Sequence, residues 1–162
     1  MKTIIPTLLI SCLIVTSGCG EKLPEGLPAL FPATLTITLE GKPIANAIVS
    51  LSSADNSHLW ASGGTTDKNG QLTVYTHGRY QGIPAGKYKV TVDCITSGVP
   101  MPQNPTMEQI EEHNRNHPSF RIVPLEYIEK MTTPLEIEIT QGKNMLTLDI
   151  PKSVKLKINA SP

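Results

Sequence analysis

Aromatic side chains are scarce in this sequence, with Phe, Trp and Tyr together making up 4% of its 162 residues. That argues against a base-stacking surface and against a broad sugar platform, both of which are built from exposed rings. An excess of either charge is also missing: 14 basic residues face 14 acidic ones. Neither sign is concentrated enough to suggest a nucleic-acid groove, and no nucleic-acid partner is expected. Cysteine is limited to Cys12, Cys19 and Cys94. With the first two assigned to the N-terminal region, Cys94 has no partner within the chain, which excludes a disulfide framework. A Walker-type phosphate loop is absent too. It needs Gly, four residues and then Gly-Lys-Ser/Thr at the start of a helix. Here Gly82 and Gly86 enclose three residues, and Lys87 is followed by Tyr88.

The one long apolar run stands at the start, where Lys2 precedes the stretch from Ile4 to Val15. That layout is a secretory signal, too short and wrongly flanked for a membrane span. Ser17-Gly18-Cys19 resembles the lipobox of bacterial lipoproteins, although Thr16 stands where that family has Leu or another aliphatic residue. The resemblance implies acylation of Cys19 as the first residue of the mature chain; a plain signal peptide is the alternative. Acyl chains would hold the protein on a membrane, since each buried CH₂ contributes about 0.8 kcal/mol. By the same analogy Gly20, in place of Asp, leans towards the outer membrane. Residues 1–18 are therefore expected to be a signal peptide and 19–33 a lipid-anchored tether. The latter holds GEKLPEGLPALFPA, rich in Pro and Gly and without a period. Residues 34–160 are expected to form one domain, long enough for a two-layer core.

From Thr34 the chain alternates. Leu35, Ile37 and Leu39 share one face against Thr36 and Thr38, the period of two that marks a half-buried strand. After Gly41-Lys42-Pro43 the phase continues through Ala45, Ala47, Val49 and Leu51. Residues 52–58 read as a loop, and a weak strand is expected from Leu59 to Ser62. Asp67-Lys68-Asn69-Gly70 is a turn whose Asn-Gly pair suits positive φ, with Leu72 and Val74 inward after it. Tyr88, Val90, Val92 and Cys94 oppose Lys87, Lys89, Thr91 and Asp93, which gives a strand with one dry and one wet side. Cys94 is thus expected in the core. Residues 95–120 break the rhythm: a proline-rich loop precedes a helix capped by Thr106 with Gln109 three places on, and Pro118 stops it. Leu135, Ile137 and Ile139 alternate again, then Leu146, Leu148 and Ile150. A last strand is expected over Val154, Leu156 and Ile158, its edge guarded by Lys155 and Lys157. Seven or eight short strands with turns between them predict an all-β, antiparallel sandwich with a short helical insertion at 95–120.

Three segments taken in order, LEGKPIANAIVSL, GGTTDKNGQLTVYT and GIPAGKYKVTV, resemble the carboxypeptidase regulatory-like domain of the transthyretin-like (prealbumin-like) β-sandwich superfamily. That family joins its first two strands by a Gly-Lys-Pro-aliphatic turn. A Thr-Asp-x-x-Gly turn opens its middle hairpin, and an x-Pro-x-Gly-x-Tyr segment leads into the next strand. VPLEYIEKMTTPLEIEITQGKNMLTLDIP is similar to the closing half of small exported bacterial lipoproteins bearing this domain. The resemblance implies a fold and a location more than a reaction, because such domains serve as structural, adhesive or sugar-binding modules. Hydroxyisourate hydrolases share the sandwich but end in Tyr-Arg-Gly-Ser, where residues 159–162 read Asn-Ala-Ser-Pro, so that activity is not expected.

Few side chains gather into a chemical pattern. His113 and His117 are four apart on the predicted helix, where two imidazoles can share a metal; a zinc-protease helix needs His-Glu-x-x-His, and this one reads His-Asn-Arg-Asn-His. A polar, solvated helix is the reading adopted, with no metal and no cofactor. Asp55, Asn56, Asp67 and Asn69 lack the spacing of a calcium loop and are read as turn formers. Trp60, His77, Arg79 and Tyr80 form the most ligand-like group, because loops on a rigid sandwich often carry function; Tyr75 is a further exposed-ring candidate, whereas Tyr88 is in phase with the core. Some related sandwiches carry a Lys–Asn isopeptide bond, for which Lys42 and Asn144 are the conceivable pair. Cys94, inward by phase, is not nominated as a nucleophile. The expected function is a non-enzymatic envelope lipoprotein, a structural or interaction sandwich presented at the membrane surface, with an envelope protein or polysaccharide as partner. The alternatives are a carbohydrate-binding module and a metal-handling periplasmic protein using His113 and His117.

Overall fold

A computed structural model describes residues 23–56, 60–96, 99 and 101–158. Nine strands form a two-layer sandwich: β1 (Ala33–Leu39), β2 (Ile48–Ser53), β3 (Ser62–Thr65), β4 (Gln71–Thr73), β5 (Tyr75–Thr76), β6 (Tyr80–Gln81), β7 (Gly86–Asp93), β8 (Glu136–Ile139) and β9 (Asn144–Ile150). One sheet has the order β8-β7-β2-β3-β5-β6. In the other, β1 lies between β9 on one side and β4 together with Lys42–Pro43 on the other. The all-β sandwich with a short helical insertion is thus the observed architecture. The expected alternation is realised along β1, whose Leu35 and Ile37 are fully buried, and along β7, where Tyr88, Val90 and Val92 are. Each such side chain contributes about 1.5–3 kcal/mol by leaving water, and those of the two sheets merge into a single core.

One pairing departs from an antiparallel sandwich. β9 runs parallel to β1 over seven rungs, from Asn144 opposite Ala33 to Ile150 opposite Leu39. The cause is the sheet change before it. β8 brings the chain to the end of the sandwich where Ala33 lies, and the turn at 140–143 passes it to the second sheet there. The strand that follows must then run the same way as β1. Asn144 holds this turn: its Oδ1 accepts from the Thr140 N–H at 3.0 Å, and its Nδ2 donates to the carbonyls of Thr140 at 3.0 Å and Gly142 at 3.1 Å.

Register fixes two ends. The end where the chain arrives holds Ala33, Gly86 and the 140–143 turn, and Leu27 is already buried there. Leu30–Phe31 pairs with Ile83–Pro84 at the same end. The latter half of the expected 19–33 tether is therefore part of the folded domain, because its apolar residues find a sheet to pack on. The opposite, distal end carries the Glu40-Gly41 turn, the 67–70 turn and the start of the 95–120 insertion. At the first of these Leu39 pairs with Lys42, and both residues between have positive φ, +55° and +75°, as in a two-residue primed hairpin. Asp149 Oδ1 accepts from the Thr38 hydroxyl at 2.6 Å and the Gly41 N–H at 2.9 Å, which pulls its carboxyl below the ordinary aspartate range. In the 67–70 turn Asp67 Oδ1 accepts from the N–H groups of Asn69 and Gln71 at 2.8 and 2.9 Å. Thr66, buried, closes the same end: its hydroxyl donates to the Ile44 carbonyl at 2.7 Å and accepts from the Ala47 N–H at 2.9 Å.

Other details differ from the sequence reading. Ile44 is buried and Ala45 exposed, so the inward phase is broken between the two strands. The weak strand expected at Leu59 to Ser62 begins at Ser62 and runs through Gly63-Gly64; Leu59 lies outside the described residues. Those glycines let β3 fit against β2, since a Cβ on Gly63 would collide with the Val49 carbonyl oxygen. The last expected strand, Val154 to Ile158, leaves the sandwich. It narrows to Leu156–Lys157, the edge of a ribbon in which Phe120–Arg121 is central and Ile95–Thr96 the other edge. The ribbon closes the base of the insertion, and its carrier is the helix α1 (Met107–Asn116), capped by the expected Thr106/Gln109 box and with no buried residue.

Candidate functional site

Cys19 lies outside the described residues, so its surroundings are not part of the fold above. The four loop candidates are brought to one region at the proximal end. Tyr75–Thr76 and Tyr80–Gln81 pair around the turn His77-Gly78-Arg79, and the His77 N–H donates to the Ala61 carbonyl at 2.7 Å. Trp60 and His77 meet edge to face with ring centroids 5.1 Å apart, and the Arg79 guanidinium lies 5.5 Å from the Tyr80 ring centre. His77 itself has φ +54°. Tyr75 faces outward, opposite Gly63 in the register, and remains partly exposed. Tyr88 is fully buried and donates its hydroxyl to the Pro84 carbonyl at 2.8 Å; burial pushes its pKa up to about 12.

His113 and His117 do sit together on α1, ring centroids 4.7 Å apart and tilted by 53°. No group of three or more His, Cys, Asp or Glu suited to a metal occurs among the described residues. Asp55 and Asn56 are apart from Asp67 and Asn69, at opposite ends of the sandwich. Asp55 accepts from the Ser53 hydroxyl at 2.5 Å, while Lys130 Nζ donates to Asn56 Oδ1 at 2.5 Å and to the Ser53 carbonyl at 2.6 Å. Lys42 and Asn144 face opposite ends of β1, across from Leu39 and Ala33 respectively. Their backbones are about 20 Å apart by strand rise, which excludes an isopeptide bond between them. Cys94 is buried, its thiol 3.6 Å from the Ala45 carbonyl oxygen, and burial raises its pKa. It is a core residue.

The sequence reading missed a cleft at the distal end. Its volume is 480 Å³, and it lies between the end of the sandwich and the ribbon at the base of the insertion. Leu39 and Ile44 come from the sandwich side; Phe120, Ile122 and Val154 come from the ribbon side. Lys42 and Lys155 also line it, with Lys155 Nζ 4.6 Å from the Phe120 ring centre. Two interactions hold the walls in place. Arg121 forms a fork with Asp93, Nε to Oδ1 at 2.8 Å and Nη2 to Oδ2 at 3.0 Å; this bond raises the guanidinium pKa and joins the ribbon to β7. Glu40 Oε1 accepts from the Ser153 N–H at 2.9 Å and hydroxyl at 2.8 Å, which lowers its pKa and ties the C-terminal segment to the hairpin. The one available signal in the sequence was the pair of alternating stretches Phe120-x-Ile122 and Val154-x-Leu156. Nothing local says that they share a ribbon.

No family model matches the chain, and no curated protein matches its sequence. Among solved structures, a 9R-lipoxygenase from Cyanothece PCC8801 is similar at a TM-score of 0.39 and 17% identity, covering 81% of this chain but 18% of that one. This chain therefore spans less than a fifth of the enzyme's length. A likeness of that strength says nothing about activity. No helix among the described residues is long and apolar enough to cross a membrane.

Proposed function

We propose that this protein is an exported sandwich module, held on a membrane by acylated Cys19, that works by binding and presentation and not by catalysis. The kinship proposed is with the carboxypeptidase regulatory-like domains, on the motifs quoted above. The observation that carries the reading is the two-ended layout. The chain arrives at the Ala33 end, while the insertion and the cleft belong to the Leu39 end. A tether running from Cys19 to about Leu27 would hold the first end near the bilayer and turn the second outward. The polarised groups at the distal end also have architectural partners, Asp93 with Arg121, Glu40 with Ser153, and Asp149 with Thr38 and Gly41. The test is metabolic labelling with an alkyne fatty acid, followed by mass spectrometry of the N-terminal peptide. Label on Cys19, lost in Cys19→Ala with retention of the unprocessed chain, is the expected result; an unmodified Cys19 thiol in the membrane fraction would remove the anchor from the reading.

A second reading, sugar binding at the proximal end, is favoured by the gathering of Trp60, His77, Arg79 and Tyr80 around one hairpin. Affinity gels loaded with envelope polysaccharide decide it: retardation abolished by Trp60→Ala or Tyr80→Ala supports it, and unretarded migration of the native protein rejects it.

A further inference from the structure

The geometry points to the distal cleft as a binding site for a single-chain anionic amphiphile of the fatty-carboxylate class. Apolar side chains form its walls. Leu39 and Ile44 are buried against the core, and Phe120, Ile122 and Val154 are half-buried, each with a remaining apolar surface turned to the gap. Its volume of 480 Å³ falls in the range of small-molecule sites, about 300–1,000 Å³, which are mostly apolar with a few placed polar groups. The placed groups here are cationic. Lys42 extends from the hairpin and Lys155 from the ribbon, on the two sides of the gap. The single carboxylate lining it, Glu40, is held ionised by two hydrogen bonds from Ser153 and by the charge of Lys42, so two lysines against one carboxylate leave the cleft with a positive balance. An apolar chain between the walls with an anionic head at the lysines satisfies both features. A zwitterion or a cation satisfies one.

Other occupants fit less well. The N-terminal segment reaches the sandwich at the opposite end, about 20 Å away along β1. The cleft is also too small to bury the roughly 800 Å² per partner of a standard protein interface. Its position away from the arriving chain favours a free amphiphile over a lipid still seated in the bilayer below.

The two walls come from separate parts of the sequence, the β1 hairpin on one side and, on the other, the ribbon that joins the end of the 95–120 insertion to the 153–155 segment. The insertion thereby acquires a role: its ribbon supplies Phe120 and Ile122 and, through the Arg121–Asp93 fork, holds them at a fixed distance from the sandwich.

The experiment is photo-crosslinking of the full chain with a diazirine-bearing decanoate below its micellar concentration, followed by peptide mapping. Adducts are expected within residues 39–44, 120–122 and 153–155. Unlabelled decanoate should compete, and decyltrimethylammonium should not. Lys42 and Lys155 are both exposed, so the double variant Lys42→Glu/Lys155→Glu should keep the native circular dichroism spectrum. It should label about tenfold less at equal probe concentration, equivalent to about 1.4 kcal/mol. Adducts confined to other peptides, equal competition by the cation, or undiminished labelling of a folded double variant would each overturn the assignment. Should the variant unfold, the adduct map and the competition series on the native chain still decide. Adducts that require anionic phospholipid vesicles, and are absent with free decanoate, would also overturn it, because the ligand would then be the bilayer.

Discussion

Tyr88 gives the sharpest quantitative test of the core. Its ring is fully buried between the sheets and its hydroxyl donates to the Pro84 carbonyl at 2.8 Å. Burial raises its pKa from 10.0 to about 12, with a smaller contribution in the same direction from Asp55. The sign follows from that shift. The folded state holds the proton more tightly than the unfolded chain, so this stabilisation is complete below pH 10 and is lost as pH rises towards 12. The loss is about 1 kcal/mol per pH unit across that window, or about 2–3 kcal/mol in all. Tyr88→Phe cannot ionise. At neutral pH it forgoes a buried hydrogen bond to the Pro84 carbonyl, at a cost of about 1–2 kcal/mol. The two stabilities should therefore differ by that amount at pH 7, converge near pH 11 and reverse above it. Urea unfolding followed by fluorescence of the single Trp60, at half-unit steps from pH 7 to 11.5, measures the difference directly. Contributions common to the two proteins cancel in that difference. A difference that stays constant up to pH 11.5 would mean that the Tyr88 hydroxyl is hydrated in the native state, and the packing described here would be wrong at its centre.

Two glycines with the same backbone conformation should respond differently to alanine. Gly70→Ala, at φ +72° and with its new Cβ 2.6 Å from the Ile37 carbonyl oxygen, is expected to cost about 3 kcal/mol or more. Gly78→Ala, at φ +66° with open space around it, should cost about 1–2 kcal/mol; equal values in urea denaturation would reject the close approach of the 67–70 turn to β1. Cys94, buried and with its pKa raised by burial, should resist iodoacetamide at pH 8 in native buffer and react fully in 6 M guanidinium. Rapid native labelling would place it at the surface.

The parts of the fold that were legible in sequence are those set by neighbours one or two residues apart. β1, β7, β8 and β9 announce themselves by alternation, because each has one face on the core. The Thr106 cap is equally local, since it needs only Gln109 in reach. What sequence did not reveal depends on where distant segments meet. The parallel match of β9 with β1 is invisible to a period of two, which fixes the face of a strand and not its direction. β3 was misplaced because Gly63-Gly64 has poor strand propensity, whereas in the sandwich the absence of a side chain is what lets β2 and β3 approach. The loop candidates were identified as a group from their adjacency in sequence, and the hairpin does assemble His77, Arg79 and Tyr80 while Trp60 joins them from β3's approach. The cleft had no such adjacency, since its walls lie more than seventy residues apart by their numbers.

That separation bears on what the distal end is for. A sandwich needs its end sealed, and the shortest seal over Leu39 and Ile44 would be a tight connection from β7 to the segment before β8. The chain instead leaves β7 at Asp93 and returns at Phe120, twenty-seven positions on. It adds a ribbon and a helix with no buried residue, and the ribbon stands off far enough to leave a cleft of 480 Å³. Ordering so many residues costs about 1–2 kcal/mol each in backbone entropy, while α1 buries no residue fully in return. Leaving apolar walls apart forfeits dispersion that closer packing would supply. Arg121–Asp93 and Glu40–Ser153 hold the gap open from two sides instead of letting it collapse. A cleft kept open against both terms is explained if something of matching shape and charge occupies it, and the lysines specify the charge.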